Sequence, residues 1–263
     1  MNEKIFEQIK LLPPLPESVI KIKKIASDPD SSWADLVPII ESDPMLKANL
    51  LKAANSPLYG FRRKINSVEL AVSLFGKNTV KGFAISFAVR NSLKFDLSAY
   101  GISSGRFQDI SSKRNAIAFN WFRKDLRRLD ILGTNSFLME IGAVIISLVL
   151  NNENESENFR RRLEAGEDRD ELEREFVGAT TVEVTAEIFK HWNFSEDLVD
   201  SLKNIYSPKA PYEVESAALW VLRLLVDMLK PFDKEYEQKA FEVAKKYSLN
   251  IEALELAVEI VKG

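Results

Sequence analysis

Histidine limits the chemistry open to this chain, because only one occurs, His191. Imidazole is the usual general base near neutral pH and the commonest metal ligand. A two-histidine zinc site, an HExxH motif and a histidine–aspartate metal site all need more than one histidine. Glu187 and His191 share one helix face at i and i+4, but a di-iron site needs two such pairs with the Glu-x-x-His spacing. We therefore expect no metal, no cofactor and no catalytic residue, and a structural role for His191 at a helix end.

The residue types present also exclude a phosphate-binding loop and any chemistry that depends on cysteine. The chain has no cysteine, which rules out thiolate nucleophiles, thiolate-bound metals and disulfides, and fits a reducing compartment. The Gly76-Lys77 pair is followed by Asn78, where a phosphate loop requires Ser or Thr. A turn between helices explains this run better.

Two clusters of basic residues remain as candidates for a ligand site. Arg62 and Arg63 follow a turn-rich segment, and a second cluster, residues 160–162, follows an acidic run. Arginine forks suit carboxylates and phosphates. We keep Arg62 and Arg63 as a candidate anion-binding pair and expect neighbouring acids to balance the second cluster.

Charge and hydropathy exclude several further classes of protein. With 39 acidic and 36 basic side chains the net charge is −3, whereas nucleic-acid binding relies on excess Lys and Arg, so we expect no nucleic-acid partner. The first ten residues carry charges throughout and lack the apolar centre of a signal peptide. The longest apolar run, residues 137–150, contains Glu140 and is shorter than the roughly 20 residues that span a bilayer. We expect a cytoplasmic protein without membrane insertion.

The elements that must position these residues are helices. Val80, Phe83, Ala84, Phe87 and Ala88 follow the i, i+3, i+4, i+7, i+8 spacing of one helix face. Start and stop signals recur along the chain. They include a capping box at Ser32 and Asp35, a cap at Asp43 before Pro44, a stop at Gly76, and Pro38 as a kink or early end.

Composition divides the chain into three segments. Residues 96–105 hold two glycines and three serines and suggest a hinge, and residues 207–211 (SPKAP) mark a second boundary. We predict an N-terminal helical lobe at residues 1–95, a second helical lobe at 106–211, and a C-terminal helical extension at 212–263 that packs on both. The extension should contain helices near residues 213–230, 233–247 and 251–262.

Residues 43–60, DPMLKANLLKAANSPLYG, resemble the signature of the HDOD family, DP-x-L…L-x-x-A-N-S-x-x-Y-G. The preceding LPPLP at residues 12–16 and the run INSVELAVSLFG at 65–76 are also similar to that family. We interpret this signature turn as structural, with Asn55 as a helix cap, and as a candidate interaction surface. Its residues are Asp43, Pro44, Asn55, Ser56, Tyr59 and Gly60.

The second half resembles the core of HD-superfamily phosphohydrolases with its metal ligands replaced. Residues 137–142 read FLMEIG where a catalytic relative has L-L-H-D-I-G. The resemblance implies that the replacing side chains cannot rebuild a shell for a hard divalent ion. The former metal-site positions are Met139, Glu140, Thr180, Thr181, Ile205 and Tyr206.

The resemblance implies an all-α, HD-domain-like fold in two lobes and a non-catalytic signal-transduction module. Such modules are typical of bacterial signalling, some of it in motility and chemotaxis. We expect a protein partner supplied in trans, acting at a cleft between the lobes that is also open to a small-molecule ligand. Two alternatives stay open: a nucleotide or cyclic-dinucleotide sensor that uses Arg62 and Arg63, and a residual phosphohydrolase that uses Glu140.

Overall fold

The computed structural model describes residues 1–92 and 96–263, with side chains at 1–88 and 96–263. These residues form helices, and they form no strand beyond one isolated bridge between Val226 and Pro231. The expected all-α fold is confirmed. The helices are α1 Glu3–Lys10, α2 Glu17–Ser27, α3 Val37–Glu41, α4 Pro44–Ala54, α5 Val68–Ser92, α6 Ser104–Phe122, α7 Leu126–Leu138, α8 Gly142–Asn152, α9 Ser156–Glu164, α10 Arg169–Val177, α11 Thr181–His191, α12 Glu196–Lys203, α13 Glu213–Leu225, α14 Lys234–Lys246 and α15 Ile251–Lys262.

Local start and stop signals act where the sequence predicts them. Ser32 and Asp35 form a capping box, and the short 3-10 helix that they open ends at Leu36 before Pro38 enters α3. Asp43 caps α4 by accepting the Leu46 N–H at 3.0 Å. Gly76 interrupts α5 with a φ of 74°, a conformation that an L side chain rarely adopts.

Helices α5 and α7 cross with their backbones in close contact. A Cβ added at Gly82 would stand 2.3 Å from the carbonyl oxygen of Gly133, so only hydrogen fits between the two backbones. The amide of Asn115 on α6 donates to the same carbonyl at 2.9 Å, and its Oδ1 accepts the Tyr59 hydroxyl proton at 2.9 Å. This crossing therefore joins the signature turn to the second half of the chain.

Its composition favours one continuous helix for the apolar run at residues 137–150, but the structure divides this run between two helices. Helix α7 ends at Leu138 and α8 begins at Gly142, with Met139, Glu140 and Ile141 in the turn between them. By length and composition, Leu126–Asn152 is apolar enough to cross a membrane, yet 94% of its most apolar window is buried inside the protein. The break has a cause in packing, because a Cβ at Gly142 would lie 2.3 Å from the Thr181 carbonyl oxygen of α11.

Helices α13 and α15 pack against the rest of the protein. Helix α15 lies along α6, where the Trp121 indole donates to the Asn250 carbonyl at 2.8 Å. Helix α13 ends at Leu225, five residues before its predicted end, because residues 226–232 turn back through the Val226–Pro231 bridge. The division into segments stays a prediction, and its boundary at residue 95 lies outside the described residues.

Part of the predicted hinge, residues 98–100, packs against helices of the second half of the chain. Ser98–Tyr100 form a 3-10 turn that contacts α8 and α9, and Tyr100 is buried. The Tyr100 ring meets the Phe159 ring edge-on at 5.2 Å. These contacts anchor the entry to α6.

We predict that Gly82→Ala destabilises the protein by at least about 2 kcal/mol, because the new methyl group meets backbone atoms that cannot move aside. Urea unfolding of the purified variant measures the change. The matched control is Gly105→Ala, also in a helix, where the added Cβ meets only the Ser103 hydroxyl at 3.9 Å. That change should be neutral or slightly stabilising, and equal losses in both variants would contradict the tight crossing.

Candidate functional site

Glu140 lies in the turn between α7 and α8 and is fully buried. Three guanidinium groups from three other helices surround its carboxylate. Its Oε2 is 2.5 Å from Arg114 Nη2, and its Oε1 is 2.6 Å from Arg169 Nη2 and 2.9 Å from Arg223 Nε. The side chains come from α6, α10 and α13 respectively. We call these four residues the arginine cage.

The turn after α13 closes one side of the arginine cage. The Nε of Arg114 donates to the Val226 carbonyl at 2.9 Å, and Arg169 Nη2 lies 3.4 Å from the Asp227 carboxylate. Since α13 stops at Leu225, the Val226 carbonyl is turned out of the helix and can accept from Arg114. The early end of α13 thus provides the carbonyl group that accepts a hydrogen bond from Arg114 in the buried network.

A second carboxylate closes the other side. Arg223 binds Asp170 through both terminal nitrogens, at 2.6 and 3.1 Å. The Tyr206 hydroxyl donates to the same carboxylate at 2.6 Å, and its ring meets Trp220 edge-on at 5.9 Å. Tyr206 is 36% exposed, so this is the side of the network nearest to solvent.

A second fully buried acid, Glu173, lies beside the arginine cage without contacting Glu140. It accepts the Tyr100 hydroxyl at 2.9 Å and the Thr181 hydroxyl at 2.6 Å, together with the Thr181 backbone N–H. Burial raises the pKa of Glu173 to about 7, even though Arg169 opposes the shift. Near neutral pH this carboxyl is therefore divided between its neutral and charged forms.

The charges of the network are balanced. Three arginines face the carboxylates of Glu140, Asp170 and Asp227. Burial alone would raise the pKa of Glu140, but the three arginines of the cage outweigh it and hold that pKa well below its usual range. A buried charge is tolerated only when it is paired and hydrogen-bonded. The carboxylate of Glu140 is thus permanently ionised inside the core.

The former metal-site positions meet at this network or pack around it. Glu140 is its centre, Thr181 reaches it through Glu173, and Tyr206 reaches it through Asp170. Thr180 instead caps α11, where its hydroxyl accepts the Glu183 N–H. Met139 and Ile205 are buried apolar side chains.

Sequence reasoning missed the arginines of the cage and both of their outer acids. One signal was available for Arg114, because it lies on α6 among the buried apolar residues Ile110 and Ile117. A charged residue on an apolar helix face implies a buried partner. Arg223 carries the same signal, as a charge within the apolar run of residues 217–226, whereas no comparable pattern marks Asp227.

The side chains present do not fit a divalent metal ion. Both oxygens of Glu140 are taken by guanidinium groups, Thr181 is bound to Glu173, and Tyr206 is bound to Asp170. In the described residues no group of three His, Cys, Asp or Glu side chains is arranged to hold a metal. Three fixed cations at the position would also repel an added one.

The signature turn is held together by its own polar side chains. The amide of Asn55 donates to the Leu51 and Ile65 carbonyls at 2.8 Å and accepts the Ile65 N–H at 2.9 Å. Asn55 keeps a φ of −90°, so the left-handed geometry belongs to Gly60, at 65°. The hydroxyl of Ser56 accepts the Leu58 N–H at 3.4 Å.

Asp43 also links α4 to α2. Its second oxygen accepts the Ser18 hydroxyl at 3.0 Å, while Pro44 occupies the first turn of α4. The signature residues therefore hold both ends of α4, with Asp43 at its start and Asn55 at its end.

Comparison with known families decides the relationship. The HDOD domain family matches residues 12–208. The chain belongs to the HDOD family. No functionally curated protein matches it.

Several solved structures share the HDOD fold. A virulence factor from Campylobacter jejuni is 25% identical, with a TM-score of 0.63 over 100% of this chain and 99% of that one. A protein named as a phosphohydrolase, from Shewanella amazonensis SB2B, is 20% identical, with a TM-score of 0.68 over 99% and 94%. A protein named for signal transduction, from Marinobacter aquaeolei VT8, is 20% identical, with a TM-score of 0.66 over 100% of this chain and 62% of that one. These likenesses confirm the HD-like fold.

The other candidate residues of this HDOD chain lie at the surface. Arg62 and Arg63 are exposed, whereas Arg162 of the second cluster pairs with Glu167 and Glu175. His191 is exposed at the last position of α11.

Residues 101–105, GISSG, carry the letters of a G-x-S-x-G nucleophile elbow. The elbow requires a strained strand-to-helix turn. Here Ser103 caps α6, and its hydroxyl accepts the Arg106 N–H at 3.2 Å. This serine is a helix cap.

A cleft of about 340 Å³ separates the signature turn from the second half of the HDOD fold. Its walls come from α4, α5 and α6, and its floor is the junction of α7 and α8. The floor residues Phe137, Leu138 and Ile141 flank the turn that carries Glu140. The cleft and the arginine cage are thus neighbours along the chain.

We predict that Glu140→Gln destabilises the protein by about 3–5 kcal/mol, because it leaves three buried guanidinium groups without their central counter-charge. Equilibrium unfolding in urea at low temperature measures the loss. The control is Glu167→Gln, which removes an exposed partner of Arg162 and should leave the unfolding midpoint nearly unchanged. Similar midpoints for both variants would contradict a structural role for the arginine cage.

We predict that Glu173 makes stability fall as pH rises. Its ordinary pKa is 4.5 and its folded pKa about 7, so between these values the folded protein holds a proton that the unfolded chain releases. Stability should therefore decline by about 1–3 kcal/mol from pH 4.5 to 7 through this group, and then level off. Glu173→Gln should abolish that part of the slope in urea unfolding at several pH values. Parallel curves for wild type and variant would exclude the shift.

Proposed function

We propose that this HDOD protein is a non-catalytic regulatory module that acts by binding a protein partner supplied in trans. The observation that carries the proposal is the arginine cage. At the position where catalytic HD relatives hold their histidine–aspartate pair, Glu140 is bound by Arg114, Arg169 and Arg223.

The arginine cage supports the absence of catalysis because it removes what a hydrolase needs. Metal-dependent hydrolysis requires an open coordination position where water or substrate binds. Glu140 is 0% exposed, and its carboxylate already contacts three cations. A carboxylate held in its ionised form by arginines is also a poor proton carrier near neutral pH.

A regulatory role is favoured by family membership and by the relative named for signal transduction. The fold retains two surfaces that an interaction module can use, the signature turn and the cleft beside it. The cytoplasm is the compartment that the sequence favours, and motility or chemotaxis signalling is the setting implied by the family resemblance. The cytoplasmic location and the signalling setting are both part of the proposed function.

The first experiment tests catalysis with purified full-length protein. We expect no turnover of p-nitrophenyl phosphate, bis-p-nitrophenyl phosphate or cyclic dinucleotides with added manganese, and no stoichiometric iron, manganese or zinc by elemental analysis. Turnover that is lost in Glu140→Gln but retained in Gly82→Ala, which destabilises the fold outside the arginine cage, would instead support a residual phosphohydrolase.

The second experiment tests the partner. The full chain is immobilised, proteins from a native lysate of its source are captured, and the interaction is rebuilt from purified components. We expect a complex of fixed stoichiometry in analytical ultracentrifugation. Arg62→Ser/Arg63→Ser is compared with Arg160→Ser/Arg161→Ser, which removes the same charge elsewhere. Calorimetric binding of a cyclic dinucleotide that only the first double variant loses would favour the nucleotide sensor.

A further inference from the structure

We infer that the cleft between the signature turn and α6 binds a small aromatic anion, a planar ring system that carries one carboxylate or a similar group. The inference rests on the proposed regulatory function and names the class of signal that this function would use. The cleft volume, about 340 Å³, lies at the small end of the range of ligand sites, roughly 300–1,000 Å³. A cyclic dinucleotide, with two bases and two ribose phosphates, is too large to be enclosed there.

One wall of the cleft is aromatic. Phe83 and Phe87 on α5 are nearly parallel, with 15° between their planes and 6.0 Å between their centroids. Phe83 also contacts Phe137 on the floor, at 4.7 Å, and Phe107 of α6 lines the opposite side. Flat ring surfaces favour another ring in a stacked or edge-on arrangement. A planar ligand is therefore the best apolar match.

Polar side chains without partners converge on the same cleft. Asn49, Ser86, Ser111 and Ser112 line it, and none makes a hydrogen bond within the part of the chain that the structure describes. Ser111 is only 4% exposed, and its buried hydroxyl has no hydrogen-bond partner among the described residues. A buried polar group without a partner destabilises a fold and calls for an explanation. A ligand with polar substituents would supply the missing partners.

Asn49 differs from the amides that hold the fold together. The side chains of Asn55, Asn115 and Asn120 each donate two hydrogen bonds to the chain. The half-buried side chain of Asn49 makes no such bond with a described residue, so it is available to a ligand in the cleft.

The charge at the cleft favours an anion. Lys52 of α4 lines it and makes no ion pair with any described residue. Its one acid, Asp109, is already paired with Lys113 at 2.7 Å. Lys47, one turn earlier on α4, pairs with Glu41 and lies outside the cleft. Lys52 is therefore the cation to which the anionic group of a ligand would bind.

A ligand in the cleft would contact the turn that holds the arginine cage. Phe137, Leu138 and Ile141 form the floor, and Glu140 is the next residue before Ile141. Binding would thus act on the same turn that α6, α10 and α13 grip through their arginines. A ligand in the cleft could therefore affect the positions of α6, α10 and α13 through this turn.

The test uses benzoate, phenylacetate and indole-3-acetate as probes, each with its neutral amide, in isothermal titration calorimetry with the full-length protein. We expect saturable binding of at least one carboxylate, about tenfold tighter than its amide. Lys52→Gln should weaken carboxylate binding about tenfold and leave amide binding unchanged. Lys47→Gln is the matched control and should change neither.

A second variant tests the position of the site independently. Gly105→Trp places a ring at the mouth of the cleft, where an added Cβ has only one neighbour within 4 Å, so the fold should tolerate it. We expect it to abolish binding of carboxylate and amide alike, while its urea unfolding midpoint stays near that of wild type.

The inference is overturned if none of the carboxylates binds wild type in the millimolar range, or if Lys52→Gln and Gly105→Trp bind like wild type. Neither result would contradict the proposed function, because the partner-capture and hydrolysis experiments do not depend on binding of the aromatic carboxylates. Conversely, hydrolysis of phosphate esters would overturn the proposed function and leave these binding data as they stand.

Discussion

The fold depends on one buried carboxylate. Glu140 is bound by arginines from α6, α10 and α13, so a single side chain in the turn between α7 and α8 links elements that are far apart in sequence. In the low dielectric of the core, separating any of these helices would strand an uncompensated charge. Apolar contacts are non-directional and tolerate small shifts of a helix. The hydrogen-bonded ion pairs of this network require specific distances and angles between donor and acceptor atoms. It therefore specifies how the second half of the chain and α13 fit together.

The same network explains how an HD-like fold keeps its shape without its ancestral chemistry. In catalytic relatives the family resemblance places a metal shell at this position, and there divalent ions would join the helices. Here guanidinium groups supply the positive charge and hydrogen-bond donors, and Asp170 and Asp227 balance the excess. Because Arg223 and Asp227 both follow residue 211, the C-terminal segment is a structural part of the buried network around Glu140. This network links the helices, and the cleft lies beside it.

Much of this architecture can be predicted from local sequence. The caps at Ser32 and Asp43 and the break at Gly76 depend on residues within a few positions, and they occur where expected. Local sequence did not predict the break between α7 and α8, because the break goes with the close approach of Gly142 to α11. The end of α13 was also misplaced, since the turn at Val226 is stabilised by Arg114 from a distant helix. Long-range contacts override local helix preference at both places.

The sequence by itself determined the helical class, the family and the loss of the histidine ligands, because each follows from residue types, spacing or a motif of adjacent residues. It also singled out Glu140. Only the tertiary structure decided that Glu140 is a buried carboxylate held by three arginines. The physical reason is that Arg114, Arg169 and Arg223 are separated by more than fifty residues at each step. Their convergence follows from helix packing and from no periodic pattern along the chain.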